Sequence, residues 1–512
     1  MSSPKAADNG SAGADRIRAS TIKAPPSDEP KTAPQSPATC ASAQSARPGV
    51  IRQAARRVTG PTGLRYLGLA GSVGVAVAGT RAVGLLGVAV LVGAWLGLRR
   101  VTGPAPGAGP DSAGRRADTR WLLVTAGLWA LPLLVAPPLF SGDAGAYACQ
   151  GQLYLHHLSP YRHGAADLPC TWLDRTPPLW RHTPAPYGPL WVVLSGAAAT
   201  TGSYLGAVVV LRAVALAGIA LAIGYGLRLA RILDAPPSRV AWLGAAGPLV
   251  LLHGVSGVHN DALLAGLVVA GLAYAATGRW GLRAGVLLGL ALAVKVTALV
   301  AIPFAVLVIA RDRRPAALAR ATAGVAVGAG GAFAAVSAAA GLGLGWLPAL
   351  SGTATLIQWS SPPTGIGMAA GYLLRAAGRT DLSPGALAIA RGLGLLALAG
   401  LLVALWWRTR TPVRAAGVAL AATALLGPVF FPWYALAPLA VLSCTGVTSR
   451  WLAGVVAGLA LLVLPDGSGL DALTKPVGAF LDLALVIALV IALAVWWVRR
   501  RRADRARPTP TA

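Results

Sequence analysis

Arginine clusters interrupt this chain at intervals set by long apolar runs, and that alternation leaves few folds open to it. Runs such as Trp121 to Phe140, Tyr204 to Leu227, Leu387 to Trp407 and Val477 to Val498 reach the roughly 20 residues a helix needs to cross a bilayer. Between the runs stand IRQAARR (from Ile51), RLARILDAPPSR (from Arg228), RDRRPAALAR (from Arg311) and WWRTRTPVR (from Trp406). Under the positive-inside rule these segments are cytoplasmic. Hydrophobic residues make up 55% and charged residues only 12% of the 512, too apolar a balance for a soluble domain. The sequence therefore predicts an all-α polytopic membrane protein. Its formal net charge of +27 reports topology, and nucleic acid is excluded as a partner.

Residues 1–60 carry almost no bulky apolar side chains and are expected to form a disordered basic cytoplasmic tail, without the apolar core of a signal peptide. Residues 61–498 form the transmembrane domain, with about 13–14 membrane segments, and 499–512 a second basic cytoplasmic tail. Two long outer loops fall at 141–189 and 343–385, and both termini lie inside. At the end of the first loop, the GPLWVVLSGAAATTG stretch (Gly188 to Gly202) reads as an interfacial or re-entrant helix rather than a full span. Neither a Walker loop nor a dinucleotide glycine motif is present, so no nucleotide-bound donor and no cofactor is expected.

Ala284 to Ala310 is an apolar stretch of 27 residues whose flanks both carry arginine. A single crossing would put one flank outside against the charge rule. Two half-spans with Lys295 at the outer apex solve the parity, a re-entrant hairpin of the kind that builds sites at membrane depth. The alternative is one long helix with Lys295 buried and paired.

The polar groups that remain gather towards the outer face: Asp143, Tyr147, Gln150, Tyr161, Arg162, His182, Tyr187, His259, Asn260, Asp261, Lys295, Trp359, Trp433 and Tyr434. Ionisable residues at the membrane edge are costly and point to function. Against that stands a plainer account for some of them: His259 and Asn260 as caps of a helix starting at Asp261, and the tryptophans as an interfacial belt. Cys149 and Cys170 share one outer loop, where a disulfide and two free thiols are both open. No ligand set has metal-site spacing, and no metal is assigned.

The segments GDAGAYACQGQLYLHHLSPYRHG (Gly142 to Gly164), TPAPYGPLW, GVHNDALLAGLVVAG, LALAVKVTALVAIPF, SSPPTGIG and FFPWYALAPL occur in the order seen in one family. The chain resembles the actinobacterial polyprenol-phosphomannose-dependent alpha-1,6-mannosyltransferases of the MptA/MptB type, within the GT-C superfamily of membrane glycosyltransferases. The family motif commonly places a larger residue on either side of the aspartate, whereas here Gly142 and Ala144 flank Asp143.

The resemblance implies a GT-C-like bundle in the cytoplasmic membrane, with its catalytic first long loop and active site facing outside. Mannose would pass with inversion from polyprenyl-phosphate mannose to a lipid-anchored glycan acceptor, a growing alpha-1,6-mannan of a cell-envelope lipoglycan, with membrane lipid around it. Asp143 would be the general base. Lys295, or in second place Arg162, would meet the leaving phosphate. Tyr187, Trp359, Trp433 and Tyr434 would stack on sugar or isoprenoid. Tyr147, Gln150, Tyr161, His182, His259, Asn260 and Asp261 would hold sugar or acceptor. Two other readings stay open: a GT-C enzyme using a different polyprenyl-phosphate sugar, and a flippase of lipid-linked saccharides.

Overall fold

The computed structural model describes residues 60–99, 112–278, 281–447 and 450–505. The expected amino-terminal tail lies outside these residues except for Gly60, and the carboxyl-terminal one is described only as far as Arg505. Among the described residues there is no strand. Helices α1 (Pro61–Ala76), α2 (Arg81–Leu98) and α3 (Ser112–Val135) lead to α4 (Asp143–Leu155) and α5 (Pro189–Ala199). Next come α6 (Tyr204–Ile232), α7 (Asp261–Ala276), α8 (Gly281–Val294), α9 (Ile302–Ala310) and α10 (Pro315–Ala340). The last third holds α11 (Pro362–Ala376), α12 (Ser383–Arg408), α13 (Pro412–Leu426), α14 (Leu436–Ser443), α15 (Arg450–Ala460) and α16 (Lys475–Arg505).

Local chemistry sets where these helices begin. Proline occupies the first turn of α1, α5, α10, α11 and α13, where its missing N–H costs nothing and its fixed φ suits the helix. The Thr80 and Ser203 hydroxyls accept from the amides of Val83 and Gly206 and cap α2 and α6.

Six helices are long and apolar enough to cross a membrane, and a seventh span arises if Val250–Ser256 and α7, bent by 109° at the break between them, are one segment. The remaining apolar runs are shorter helices, among them α5, α8, α13 and α15. Leu393 and Leu396 of α12 and Leu489, Val490 and Ile491 of α16 are exposed, the outward apolar surface that a lipid-facing helix presents.

The expected hairpin has its counterpart in the backbone. α8 ends at Val294, Lys295 is extended (φ −157°, ψ 136°), and a 3₁₀ turn over Val296–Ala301 leads into α9. Ile309 at the end of α9 packs against Gly281 at the start of α8, and Arg311 packs against Gly278. The chain thus returns to the end from which it set out. α8 is held by close packing on α10: a methyl group on Gly289 would sit 2.3 Å from the Ala329 carbonyl oxygen, the small-residue contact that lets membrane helices meet backbone to backbone.

α6 and α7 run parallel. Gly218, near the middle of α6, meets Leu263, and the Tyr225 and Tyr274 rings are 5.6 Å apart. The Arg228 guanidinium lies over the Tyr274 ring. Asp261 is therefore level with the middle of α6, and α7 descends towards the arginine-bearing end.

Cys149 and Cys170 are bonded to each other, tying α4 to the loop that follows it. Cys149→Ser is expected to lower stability by about 3 kcal/mol, the chain-entropy value for a loop of this size. Thermal unfolding in detergent checks this: reductant should shift the wild type towards the variant and leave the variant unchanged.

Candidate active site

Five sequence-distant segments meet where the span preceding α7 breaks. Two residues beside the cluster take a left-handed backbone without being glycine, Phe140 (φ 66°) and Val258 (φ 58°). For a β-branched valine that conformation is strained, and such strain persists only where the surroundings impose it. Val258 immediately precedes His259, and Phe140 stands three residues before Asp143.

Asp143 opens α4 behind Gly142, with its carboxylate turned inwards and only 5% of the residue exposed. Trp180 Nε1 donates to Asp143 Oδ1 at 3.1 Å, and the Ser141 hydroxyl accepts from the Asp143 amide. His259 Nδ1 lies 3.3 Å from Oδ2, and the Tyr147 hydroxyl, one helical turn on, lies 3.5 Å from the same oxygen. Burial alone would raise the Asp143 carboxyl. The His259 contact and the bonds with Ser141 and Trp180 together outweigh burial and hold the group below the usual carboxylate value. Asp143 is thus an anion at neutral pH, able to accept a proton.

A second pair lies alongside. Lys295 Nζ reaches both oxygens of Asp261, at 2.9 and 2.8 Å, and sits 3.8 Å from the centre of the Tyr434 ring. Both residues are buried, so each charge is stabilised chiefly by the other. Lys295 stands at the apex of the hairpin and is also buried and paired; the single long helix of the alternative reading is not formed, because the chain breaks at Lys295.

Aromatic rings frame both pairs. His259 stacks on Trp433 at 3.9 Å and 12°, and Trp433 stacks on Phe431 at 4.6 Å. Tyr147 meets Tyr187 and Trp191 edge to face. A cavity of about 410 Å³ opens beside them. Asp261, Lys295, Tyr187, Trp180 and Tyr434 form its polar end, and Leu395 and Leu398 of α12 with Leu420 of α13 line its apolar length. Asp143 is not in the cavity wall: it stands behind Trp180 and Tyr187.

Of the residues singled out from sequence, the fold joins Asp143, Tyr147, Tyr187, His259, Asp261, Lys295, Trp433 and Tyr434. Asn260 and Gln150 are buried close by; the Asn260 amide has no hydrogen-bond partner at either atom and Gln150 Nε2 has none. Asn260 sits at the cap position of α7 but makes no capping bond. The other four stand apart. Arg162 and His182 are exposed on the first loop. Tyr161 packs against Gly345 of the second loop, and Trp359 donates to the Thr474 hydroxyl and packs on Gly478 at the start of α16.

Sequence reasoning missed Trp180. Its indole N–H is a donor only, and its place between Cys170 and the TPAPYGPLW segment, which also brings Tyr187 to the site, is the signal that was there. Trp180→Phe removes one of the bonds that depress the Asp143 carboxyl, so the Asp143 titration, followed by carboxyl infrared absorption, is expected to move to higher pH. An unmoved titration would leave Trp180 as packing alone.

Comparison with known proteins places the chain in one family. The family described as alpha-(1->6)-mannopyranosyltransferase, N-terminal domain, matches residues 38–311, and the MptB C-terminal domain matches residues 363–497. A Mycobacterium tuberculosis protein named alpha-(1->6)-mannopyranosyltransferase A is 36% identical over 437 residues, covering 82% of this chain and 80% of its own. A Corynebacterium glutamicum protein named alpha-(1->6)-mannopyranosyltransferase B is 30% identical over 453 residues, covering 81% and 74%. No solved structure matches.

Proposed function

Because the chain belongs to the alpha-(1->6)-mannopyranosyltransferase family, we propose that its buried cluster moves mannose from polyprenyl-phosphate mannose to a hydroxyl of a lipid-anchored alpha-1,6-mannan, with inversion. That the protein is a mannosyltransferase rests on the family; the donor, the acceptor and the inversion are the proposal, which the site supports. The observation that carries the reading is the company of Asp143. An anionic carboxylate held by Trp180 and His259 stands one side chain away from a cavity with a lysine at one end and aliphatic walls along the rest.

In this reading the isoprenoid lies along the apolar length between the hairpin, α12 and α13, and the mannosyl phosphate lies at the polar end. The acceptor oxygen attacks the anomeric carbon as its proton passes to Asp143. The bond from that carbon to the phosphate oxygen breaks, and the electron pair leaves on the phosphate. A phosphate leaving group needs a cation more than an acid, and Lys295 is placed to supply it. The incoming phosphate competes with Asp261 for Nζ. Acceptor entry requires the Trp180 and Tyr187 side chains to yield, so that a hydroxyl replaces one of the donors now on Asp143. Arg162, exposed on the loop, has no part in this account.

The same reading puts the site on the outer face of the cytoplasmic membrane. Its supports are the disulfide in the loop that carries Asp143 and the position of Arg228 and Arg311 at the opposite end of the bundle.

The product's anomeric configuration tests the proposal. Transfer by the purified protein to an alpha-1,6-mannobiose acceptor should give a new linkage whose configuration, read by NMR coupling, is opposite to the donor's. Retention would rule out direct attack assisted by a single base and would demand a covalent intermediate.

A further inference from the structure

A cavity of about 670 Å³ lies at the arginine-bearing end of the bundle, opposite the buried cluster. It forms where the end of the hairpin meets the turn between α12 and α13. Arg311 and Arg313 line it from one segment, and Arg410 and Arg414 from another about a hundred residues later. Asp312 is the single acid among the described lining residues. It is already engaged, with the Arg314 amide donating to its carboxylate at 3.0 Å and the Arg314 guanidinium at 3.6 Å. Among the described residues no carboxylate pairs with Arg311, Arg410 or Arg414.

Scattered arginines on a cytoplasmic face are what topology alone requires. Four that line one concavity are a different matter: the Arg313 guanidinium donates to the Trp406 and Thr409 carbonyls, and Arg311, Arg410 and Arg414 border the same hollow, where an anion would offset their repulsion. The first turn of α13 adds to this end. Thr411 precedes it without a side-chain cap and Pro412 opens it, so the amides of that turn point their positive dipole ends outwards.

We propose that this cavity binds a phosphate-bearing anion, with arginine forks meeting its oxygens. The group is the head of an anionic lipid or a free phosphate compound. An observation beside the cavity favours the lipid. Arg313, whose guanidinium donates to the Trp406 carbonyl and lies over the Trp406 ring, stands at the border of an apolar groove of about 280 Å³. Val300 and Phe304 of the hairpin and Leu402 and Trp406 of α12 line that groove. A lipid would place its phosphate among the arginines and an acyl chain in the groove. This site is independent of the transfer reaction and of the reading given above for it.

The test uses the full-length protein in nanodiscs containing equal phosphatidylglycerol and phosphatidylcholine, with retained lipid counted by native mass spectrometry. The comparison is with Arg410→Gln/Arg414→Gln and, as a control outside the cavity, Arg228→Gln. Arg410 and Arg414 are exposed, so the double variant is expected to fold, and its lipid-free unfolding temperature verifies this. The wild type should retain phosphatidylglycerol selectively, and the double variant should lose that preference by roughly 30-fold, about fivefold per arginine. Arg228→Gln should behave as wild type.

A second arm adds inorganic phosphate to lipid-free protein in detergent. A rise in unfolding temperature that the double variant lacks, with both lipids retained alike, supports the site and assigns it to a soluble phosphate. No preference between lipids together with no phosphate shift overturns the proposal. So does either effect surviving in the double variant.

Discussion

Asp143→Asn is expected to lower kcat by about 100-fold to 10,000-fold, the usual range for loss of a general base, while the protein still inserts and unfolds near the wild-type temperature. The substitution is nearly isosteric. Asparagine can still accept from Trp180 Nε1, so the 3.1 Å contact that fixes this corner of the loop survives. What disappears is the charge and with it the ability to take a proton. A radiolabelled transfer assay beside a thermal unfolding curve separates chemistry from folding. The pH profile sharpens it further. A base is active only when deprotonated, so wild-type kcat/KM should fall as pH drops through the depressed Asp143 value, and the residual activity of the variant should lack that limb. Transfer at the wild-type rate would remove the carboxylate from the reaction.

The second large effect falls on the Lys295–Asp261 pair. Lys295→Met leaves the Asp261 carboxylate buried without its counter-ion, which should cost about 3–5 kcal/mol of stability, and the loss of transfer in that variant would say little about chemistry. The double variant Lys295→Met/Asp261→Leu removes both charges. It should recover most of the lost stability, since replacing a buried ion pair with apolar groups is often close to neutral, yet still fail to transfer, because the leaving phosphate has lost its cation. A double variant that is both stable and active would reduce the pair to a strut under the hairpin.

The parts of this molecule legible from sequence are those governed by short-range rules. Charge parity predicts the return of the chain between Ala284 and Ala310, because arginines on both flanks belong on one side under the charge rule and forbid one crossing, and Ile309 does come back to Gly281. Asp143 is legible as a carboxylate in polar and aromatic company where a span ends. What sequence does not carry is which side chains, tens of residues apart, share a wall. Trp180 reaches Asp143, and Asp261 reaches Lys295 across 34 positions, only because the loop folds under its disulfide and the hairpin apex rises to the break before α7. Nothing in the local pattern distinguishes His182 and Arg162, exposed on that loop, from Tyr187, which the backbone carries inwards as the Gly188 amide donates to the Val294 carbonyl at the apex. The apolar run from Val240 to Val255 is a candidate span by composition alone. In the fold it is two short π-helical pieces, Val240–Ala245 and Val250–Ser256, separated at Gly247 and Pro248, where a proline removes a helical donor.

The central claim is that the donor is a lipid phosphate, and one measurement addresses it directly. The purified protein in liposomes, given a short alpha-1,6-mannoside acceptor, is supplied in parallel with polyprenyl-phosphate [¹⁴C]mannose and with a nucleotide-linked [¹⁴C]mannose. Label should appear on the acceptor from the lipid donor and not from the nucleotide donor. Transfer from the nucleotide donor alone, or movement of the lipid across the bilayer without a new glycosidic bond, would contradict the account.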